Sequence, residues 1–501
     1  MAKTVLKFRG IGAVLTVCGI LLFLVQYTKI IQQVIHTGRQ DIPETAAETN
    51  THATAVKTDE VDKALFHENE LNLANEVGQS KAFFNGSEQS EIKSVHKQRL
   101  SNLTTQTKHF IVSDEKFKKS YLENDNLFKV PSYVKEVNCN AIVKGDENKT
   151  KKAEHLSEAN PKVGVTAQQY IQMTSDCSKF ISERRYITDS LTEVENDFHI
   201  AFSLLIFKDI EQSERLLRAI YRPQNNYCIH IDKKSADSIY DAMSSIANCF
   251  DNVFIASTRY NVQWGTMTVL EPDLLCMKEL WDKSKSWKYF INLTGQEFPL
   301  RTNYELVQIL KAYSGANDIE GTIKRANRGR WKGAGTPPHG IVPTKGSVHI
   351  VASREYVDYV LHNQKAQDFL NWTKHTKVPD ETFFSSLNHN PGLGVPGAYK
   401  GHPDTDIKGN AKPFVARFKN WGDWPCNGKR VRMVCIFGTG DLPMLASRRE
   451  LFANKFYLDY HHFALDCMEE LHFNHTRDEY LGKFSFDPRW YSNLEFVLNK
   501  V

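Results

Sequence analysis

Compact apolar runs alternate with amphipathic segments between about residue 190 and residue 295. The segments EQSERLLRAIY, SADSIYDAMSSIANCF and LEPDLLCMKELWD place apolar residues three and four positions apart, a spacing typical of helices. The runs between them favour strands that are buried on both faces. These runs are FHIAFSLLIF at 198–207, YCIHID at 227–232, NVFIA at 252–256 and WKYFINL at 287–293. The alternation predicts an α/β fold, a mostly parallel sheet covered by helices.

The pattern becomes less regular after about residue 294. Two further strands are predicted, GSVHIVAS at 346–353 and KRVRMVCIF at 429–437, with helical segments after each. Alternation along KRVRMVCIF would place Arg430 and Arg432 on one face of the strand. About 310 residues of mixed structure are enough for one large domain or two joined lobes.

The N-terminal region has a different character. Residues 11–27 are apolar and uncharged, follow three basic residues, and are about long enough to span a bilayer as a helix. Without a small-residue cleavage site, this pattern favours an uncleaved signal anchor over a cleaved leader. The polar composition that follows predicts a stem with little packed structure. We therefore expect a cytoplasmic tail at 1–10, a transmembrane anchor at 11–27, a lumenal stem at 28–130 and a lumenal catalytic domain at 131–501.

Sequons and cysteines agree with a lumenal location. Cys18 lies in the anchor, and the other eight cysteines are the even number that a disulfide framework needs, although the residues alone leave their pairing open. The net charge of +4 gives no reason to expect nucleic-acid binding. N-glycosylation candidates are Asn85, Asn102, Asn148, Asn371 and Asn474. A sixth sequon, at Asn292, lies in an apolar run and is expected to be inaccessible.

Three motifs point to no site of their own. The D-x-D sequence at 404–406 has the spacing of a metal-binding carboxylate pair, but it lies in a Gly- and Pro-containing loop, which favours a solvated loop. GTGDLP at 438–443 has a proline where a dinucleotide loop needs its third glycine, so Asp441 is expected to cap a helix. The histidines at 461–462 face different sides and have no partner at a metal-binding spacing.

Candidate ligand-binding residues are Asp232 and the cations near the C-terminus. Asp232 closes the second predicted strand, at the end of the sheet where ligands bind, although it could instead cap the next helix. Arg432, with Lys455 at the end of the next predicted helix, could bind a nucleotide diphosphate without a metal. The alternative is a structural ion pair for Arg432 and a solvated Lys455. A turn at 427–428 and a Cys426–Cys435 bridge would close a small hairpin nearby.

Several motifs resemble one known family. INLTGQEFPLRTN, VASREYVDYVL, VPDETFF, VRMVCIFGTGDL and LFANKF, with eight cysteines in order over roughly 139–467, resemble the core 2 branching β1,6-N-acetylglucosaminyltransferases. These belong to glycosyltransferase family 14, which also contains I-branching enzymes and peptide O-xylosyltransferases. The resemblance implies a Rossmann-like glycosyltransferase A type fold that works without a metal, so no cofactor is expected beside the UDP-sugar donor. It also implies the disulfides Cys139–Cys467, Cys177–Cys249, Cys228–Cys276 and Cys426–Cys435.

The resemblance also assigns roles to single residues. Glu381 in VPDE matches the catalytic base, for which the alternative is a carboxylate at a helix start. The residues assigned to the donor are Arg432 and Lys455 for the diphosphate, and Asp232 and Trp264 for the nucleotide. The residues assigned to the acceptor are Glu320, Arg330 and Trp421.

One departure from the family affects specificity. Only four residues separate Trp421 from Cys426, where the family has a longer loop with an acceptor-contacting tyrosine, so the donor sugar could be N-acetylglucosamine or glucose. The expected protein is a Golgi type II membrane enzyme that transfers a sugar in β1,6 linkage to core 1 Gal-β1,3-GalNAc of O-glycans. Its expected partners are the UDP-sugar, the glycoprotein acceptor and the membrane, with homodimerisation left open. The alternatives are a peptide O-xylosyltransferase and a catalytically silent lumenal sugar-binding protein.

Overall fold

The computed structural model describes residues 134–401 and 414–501. The predicted anchor and stem, the sequons at Asn85 and Asn102, and the D-x-D sequence at 404–406 lie outside these residues. Within the described ranges, no helix has both the length and the apolar character needed to cross a bilayer.

A five-stranded sheet forms the centre of the fold, in the order β3-β2-β1-β4-β6. Strands β3, β2, β1 and β4 are parallel, and β6 is antiparallel to β4. This confirms the predicted mixed α/β fold with a mostly parallel sheet. The strands are β1 (Ile200–Ile206), β2 (Asn226–Ile231), β3 (Val253–Ile255), β4 (Tyr289–Thr294), β5 (Glu297–Pro299), β6 (Val351–Ser353), β7 (Arg417–Lys419), β8 (Lys429–Val431), β9 (Val434–Ile436) and β10 (Phe452–Asn454).

Helices cover the sheet, and the three predicted between the first four strands are α6, α7 and α8. The helices are α1 (Cys139–Val143), α2 (Glu147–Ala159), α3 (Ala167–Met173), α4 (Cys177–Arg184), α5 (Glu193–Asn196), α6 (Ile210–Ile220), α7 (Asp237–Ala247), α8 (Glu271–Lys283), α9 (Asn303–Tyr313), α10 (Arg354–His362), α11 (Gln364–Thr373), α12 (Phe383–Asn388), α13 (Leu442–Ala446), α14 (Phe463–Tyr480), α15 (Arg489–Ser492) and α16 (Glu495–Leu498).

Successive residues of the central strands enter two different apolar cores, as the two-residue period of a strand requires. Phe202 and Leu204 of β1 lie in the first core, with Ile229 of β2 and Ile291 of β4. Ala201 of β1 faces the second core, which also contains Cys228, Phe290 and Trp287. Burial on both faces explains why these strands read as continuous apolar runs in the sequence.

Four disulfides connect the eight cysteines of the described region: Cys139–Cys467, Cys177–Cys249, Cys228–Cys276 and Cys426–Cys435. This is the pairing that the family resemblance implies. The Cys228–Cys276 bridge joins β2 to α8, and the Cys139–Cys467 bridge joins α1, the first helix of the described residues, to α14.

The predicted strand KRVRMVCIF is wrong, because this segment folds back on itself. Strands β8 and β9 pair antiparallel, with Val431 opposite Val434, and Arg432 and Met433 form the two-residue turn between them. Both turn residues have positive φ, 48° and 74°, the backbone twist of a type I′ hairpin turn. Arg430 and Arg432 therefore do not share a strand face. The hairpin turn lies here and not at 427–428, where the sequence analysis placed it.

Candidate active site

A cavity of about 420 Å³ opens at the carboxyl ends of the parallel strands, where ligands of such sheets bind. Residues at or just beyond the ends of β1, β2 and β4 line it, and Lys419 and Asn454 contribute from the ends of β7 and β10. Four of the eight predicted site residues line this cavity: Asp232, Glu381, Trp421 and Lys455.

Asp232 follows β2 directly, and its backbone N–H donates to the Ile206 carbonyl at 2.8 Å, which continues the β1–β2 pairing by one residue. Its carboxylate accepts hydrogen bonds from the backbone and the side chain of Lys234, at 2.9 and 2.8 Å. Helix α7 begins only at Asp237, so the alternative interpretation of Asp232 as a helix cap is wrong. The carboxylate is held at the cavity wall by local hydrogen bonds.

Glu381 ends a short 3-10 turn, Pro379–Glu381, which precedes helix α12. Its carboxylate forms an ion pair with Arg330, and the Lys345 ammonium lies 3.5 Å from the same oxygen, Oε2. The side chain thus turns toward two cations and the cavity. Its position in this first turn, two residues before α12, also fits the alternative interpretation of a carboxylate at a helix start. Burial, followed by the charge of Glu381, raises the pKa of neighbouring Asp380 to about 6.

The backbone at Glu320 passes close to Gly346, which in turn contacts the backbone of Glu381. The Gly346 N–H donates to the Glu381 carbonyl at 2.7 Å, and a Cβ added to Gly346 would lie 2.3 Å from the Glu320 carbonyl oxygen. A glycine is therefore required for the chain at Glu320 to pass so near to Glu381. Of the three predicted acceptor residues, Arg330 thus contacts the Glu381 side chain and Glu320 approaches it through the backbone, while neither lines the cavity. The third, Trp421, lines the cavity and is half exposed.

The cavity wall includes a buried carboxyl group, Asp273 at the start of α8. Its two oxygens accept hydrogen bonds from Ser203 Oγ at 2.9 Å and from Asn292 Nδ2 at 2.8 Å. Burial raises the pKa of Asp273 to about 7, against the lowering effect of these two hydrogen bonds. Asn292 is buried and committed to this network, which agrees with the expectation that its sequon is inaccessible.

Three lysines line the cavity: Lys208, just beyond the end of β1, and Lys419 and Lys455. Lys455 follows strand β10, so its predicted position at the end of a helix is wrong. Lys419 ends strand β7, which runs parallel to β10 with Lys419 opposite Asn454. Its ammonium donates to Ser347 Oγ at 2.7 Å. The parallel pairing therefore places two cations at neighbouring strand ends.

Two predicted donor residues lie outside the cavity lining. Arg432 occupies the exposed tip of the β8–β9 hairpin, although Val434, two residues later, does line the cavity. Trp264 is 80% exposed, on the loop before the short turn at Met267–Val269. This loop contacts the segment of the predicted base, because the Val378 N–H donates to the Gly265 carbonyl at 3.0 Å.

Several residues in or beside the cavity are not among the predicted site residues, including Lys345, Lys419 and Asp273. Lys419 ends an alternating apolar stretch, VARFK, two residues before Trp421, so a strand prediction there would have drawn attention to it. Asp273 lies in an amphipathic segment whose spacing predicts a helix but does not mark this carboxyl as a cavity residue. Lys345 stands alone in a loop, and no local pattern marks it.

Metal-ligand geometry within the described residues occurs away from the cavity. Glu305, His475 and Glu479 bring their ligand atoms within 4.8 Å of one another, but none of the three lines it. A second group consists of Asp441 with Cys426 and Cys435, whose sulfurs form a disulfide. Asp441 precedes helix α13, as expected for a cap, but its carboxylate accepts from the backbone N–H groups of Asn427 and Gly438.

Comparison with known proteins shows the family of the chain. Residues 200–446 match the family model described as Core-2/I-Branching enzyme. A human relative, a beta-1,3-galactosyl-O-glycosyl-glycoprotein beta-1,6-N-acetylglucosaminyltransferase, is 40% identical over 376 residues, which is 69% of this chain and 87% of the relative. The chain belongs to the core-2/I-branching enzyme family. This confirms the resemblance to the core 2 branching enzymes.

Other members of the family show the same extent of similarity. A bovine protein of the same name is 40% identical over 379 residues, which cover 69% of this chain and 86% of the relative. A human beta-1,3-galactosyl-O-glycosyl-glycoprotein beta-1,6-N-acetylglucosaminyltransferase 3 is 35% identical over 374 residues, covering 69% of this chain and 84% of the relative. The family region at 200–446 contains Asp232, Glu381 and Lys419, while Lys455 follows it.

Proposed function

We propose that this protein is an inverting glycosyltransferase that transfers N-acetylglucosamine from UDP-N-acetylglucosamine, in β1,6 linkage, to core 1 Gal-β1,3-GalNAc on Ser or Thr. The similarity to named β1,6-N-acetylglucosaminyltransferases over most of their length carries the proposal. The cavity supports it, because one site combines a carboxylate, Glu381, with two lysines at neighbouring strand ends. These relatives favour the branching activity over the alternative peptide O-xylosyl transfer.

The proposed chemistry is a single displacement. Glu381 takes the proton from the GalNAc 6-hydroxyl while that oxygen attacks the anomeric carbon of the donor sugar. The bond from this carbon to the UDP oxygen breaks, and UDP departs with the electron pair. Attack from the face opposite UDP inverts the anomeric configuration and gives a β linkage. Arg330 and Lys345 hold the Glu381 carboxylate in place.

The departing diphosphate is stabilised by cations in place of a metal ion. Lys455 and Lys419 line the cavity at neighbouring strand ends, which supports this role, because fixed ammonium groups stabilise developing negative charge without reorganisation during the reaction. Arg432 remains a proposed third cation, which would reach the donor from the hairpin tip. Asp232 and Trp264 are proposed to contact the nucleotide, and Glu320, Arg330 and Trp421 the acceptor. The fold is accordingly proposed to be a metal-independent glycosyltransferase A type.

The cellular setting is proposed from the sequence. Residues 11–27 would anchor the chain in the Golgi membrane as a single-pass type II protein, with the described region in the lumen. Homodimerisation stays an open proposal.

A donor panel tests the function. The full-length chain is incubated with Gal-β1,3-GalNAc-benzyl and radiolabelled UDP-N-acetylglucosamine, UDP-glucose or UDP-xylose, and the product linkage is determined by NMR. The expected product carries β1,6-linked N-acetylglucosamine on GalNAc. Transfer of glucose alone would revise the donor, whereas binding of UDP with no transfer from any donor would favour a silent sugar-binding protein.

A further inference from the structure

The chain carries no acidic residue between Glu320 and Glu355. Seven basic residues lie in the same interval: Lys324, Arg325, Arg328, Arg330, Lys332, Lys345 and Arg354. An interval this long with only one sign of charge creates a local positive potential, which attracts anions from solution.

Part of this interval packs directly against the turn that holds Glu381. The Trp331 indole N–H donates to Thr382 Oγ1 at 3.1 Å, and the Lys377 N–H donates to the Arg330 carbonyl at 2.8 Å. Arg330 forms the ion pair with Glu381 itself. The basic segment and the proposed catalytic base therefore belong to one packed unit.

Three cations of this unit face solvent: Arg328, Lys332 and Lys377, here called the cationic rim. Ion pairs within 4.0 Å are absent for all three among the described residues. The two carboxylates nearest to Lys377 along the chain are engaged or buried, since Glu381 pairs with Arg330 and Asp380 is buried. The rim charges are therefore not neutralised by the part of the protein that the structure describes.

We propose that the cationic rim binds the acidic polypeptide of the acceptor glycoprotein, through Asp or Glu side chains that flank the glycosylated Ser or Thr. This inference rests on the proposed function, because it requires an acceptor sugar beside Glu381. The polypeptide must leave the site close to that sugar, and the rim borders Glu381 without lining the donor cavity. Carboxylates are the polypeptide groups that complement arginine and lysine.

The test uses three glycopeptides that carry the same core 1 glycan and differ only in the flanking residues, which are acidic, neutral or basic. Binding is measured by fluorescence anisotropy on the full-length Glu381→Gln variant, so the result does not depend on turnover. At low ionic strength the acidic glycopeptide should bind roughly 3- to 10-fold tighter than the neutral one, a range set by three exposed charge pairs. The difference should shrink as salt screens the charges.

Charge reversal assigns the preference to the rim. Arg328→Glu, Lys332→Glu and Lys377→Glu together should reverse the order, so that the basic glycopeptide binds best, while UDP affinity is unchanged. The matched control reverses three exposed lysines near helix α2, with Lys144→Glu, Lys149→Glu and Lys152→Glu, and should keep the preference of the parent. The two triple variants change the net charge equally. Any difference between their glycopeptide preferences therefore comes from where the reversed charges lie.

Several results would overturn the proposal. Equal binding of acidic and neutral glycopeptides at low salt would do so, as would an acidic preference that survives rim reversal. Rim-dependent binding to phosphatidylserine vesicles, without discrimination between glycopeptides, would identify an anionic lipid surface as the partner instead. A chain that transfers no sugar but still prefers the acidic glycopeptide through the rim would contradict the proposed function and leave this inference standing.

Discussion

Arg330 and Glu381 form an ion pair at the cavity, and Lys345 lies 3.5 Å from the same carboxylate oxygen. The pair joins a residue assigned to the acceptor with the residue assigned as base. A charge-assisted contact of this kind fixes the direction of a carboxylate more firmly than a neutral hydrogen bond. The arrangement suits a base that must meet one hydroxyl of a bound sugar.

The first prediction concerns the base. Glu381→Gln removes the proton acceptor but keeps the size of the side chain, so kcat should fall by about 100-fold or more. UDP affinity should stay within about twofold, because Glu381 is proposed to contact the acceptor hydroxyl and not the nucleotide. Initial rates and calorimetric titration with UDP measure the two quantities.

Asp380→Asn is the matched control, since it makes the same change at the neighbouring carboxyl, which does not line the cavity. It should retain most of the turnover. Normal turnover in Glu381→Gln, together with a large loss in Asp380→Asn, would move the base by one residue.

The second prediction concerns the diphosphate. Lys455→Ala and Lys419→Ala should each weaken UDP binding by roughly 10- to 100-fold, the range for loss of a hydrogen bond to a charged group. Arg432→Ala should lower both UDP affinity and turnover if the hairpin tip reaches the bound donor. Lys429→Ala on the same hairpin is the control and should change neither.

If Lys419→Ala binds UDP normally and Arg432→Ala does not, Arg432 is the partner of Lys455 and the assignment of Lys419 is wrong. A loss at Lys419 with no effect at Arg432 would instead assign diphosphate binding to Lys419 and Lys455.

The third prediction concerns stability and pH. The pKa of Asp273 is raised to about 7 from an ordinary value near 4, so the folded state binds the proton more tightly than the unfolded state. The tighter proton binding of the folded state stabilises the protein. This stabilisation is fully present below about pH 4 and declines as pH rises toward about 7. The side chain of the Asp273→Asn variant does not titrate. With rising pH, the free energy of unfolding of this variant should therefore fall less steeply than that of the wild type, by up to about 1.4 kcal/mol per pH unit.

Denaturant unfolding at pH 5, 6, 7 and 8 measures the effect, with exposed Asp282→Asn on the same helix as the control. An unchanged slope in Asp273→Asn would show that Asp273 is already ionised in the folded protein.

The fourth prediction concerns glycosylation. Asn148 and Asn371 are exposed, so both should carry N-glycans in the secretory pathway, whereas buried Asn292 should carry none. Asn474 lies within helix α14, half buried and hydrogen-bonded by Arg477 at 2.9 Å, and should be occupied less than Asn148. Mass-spectrometric glycopeptide mapping gives the occupancy, and a glycan at Asn292 would contradict the described packing.

Local pattern was enough to predict the central sheet. Strands such as β1 and β4 are buried on both faces, so their burial appears directly as apolar runs, and α6 to α8 show helical spacing. Asp232 could be found for the same reason, because it follows a strand that the pattern defines. Its helix-cap alternative could be rejected only in the structure, where α7 begins five residues later.

The hairpin and the second sheet could not be predicted from local pattern. The turn at Arg432 and Met433 lacks the Asn-Gly or Asp-Gly pair that usually marks a type I′ turn, so the segment resembled one continuous strand. Strands β5, β7 and β10 are only three residues long, and β10 pairs with β5 across 153 positions of sequence (Phe452 with Pro299) and with β7 across 35 (Phe452 with Arg417). Lys419 and Lys345 are brought to the site by contacts between segments that are distant in sequence. The local spacing of residue types does not predict such contacts.

Lysine ammonium groups, not a divalent ion, are proposed to stabilise the departing diphosphate. The most direct measurement is the initial rate of N-acetylglucosamine transfer by the full-length chain to Gal-β1,3-GalNAc-benzyl, with and without excess EDTA after dialysis against chelator. The rate should be the same in both conditions, and added Mn²⁺ should not restore the rate of Lys455→Ala. Loss of the wild-type rate in EDTA and its recovery with Mn²⁺ would contradict it.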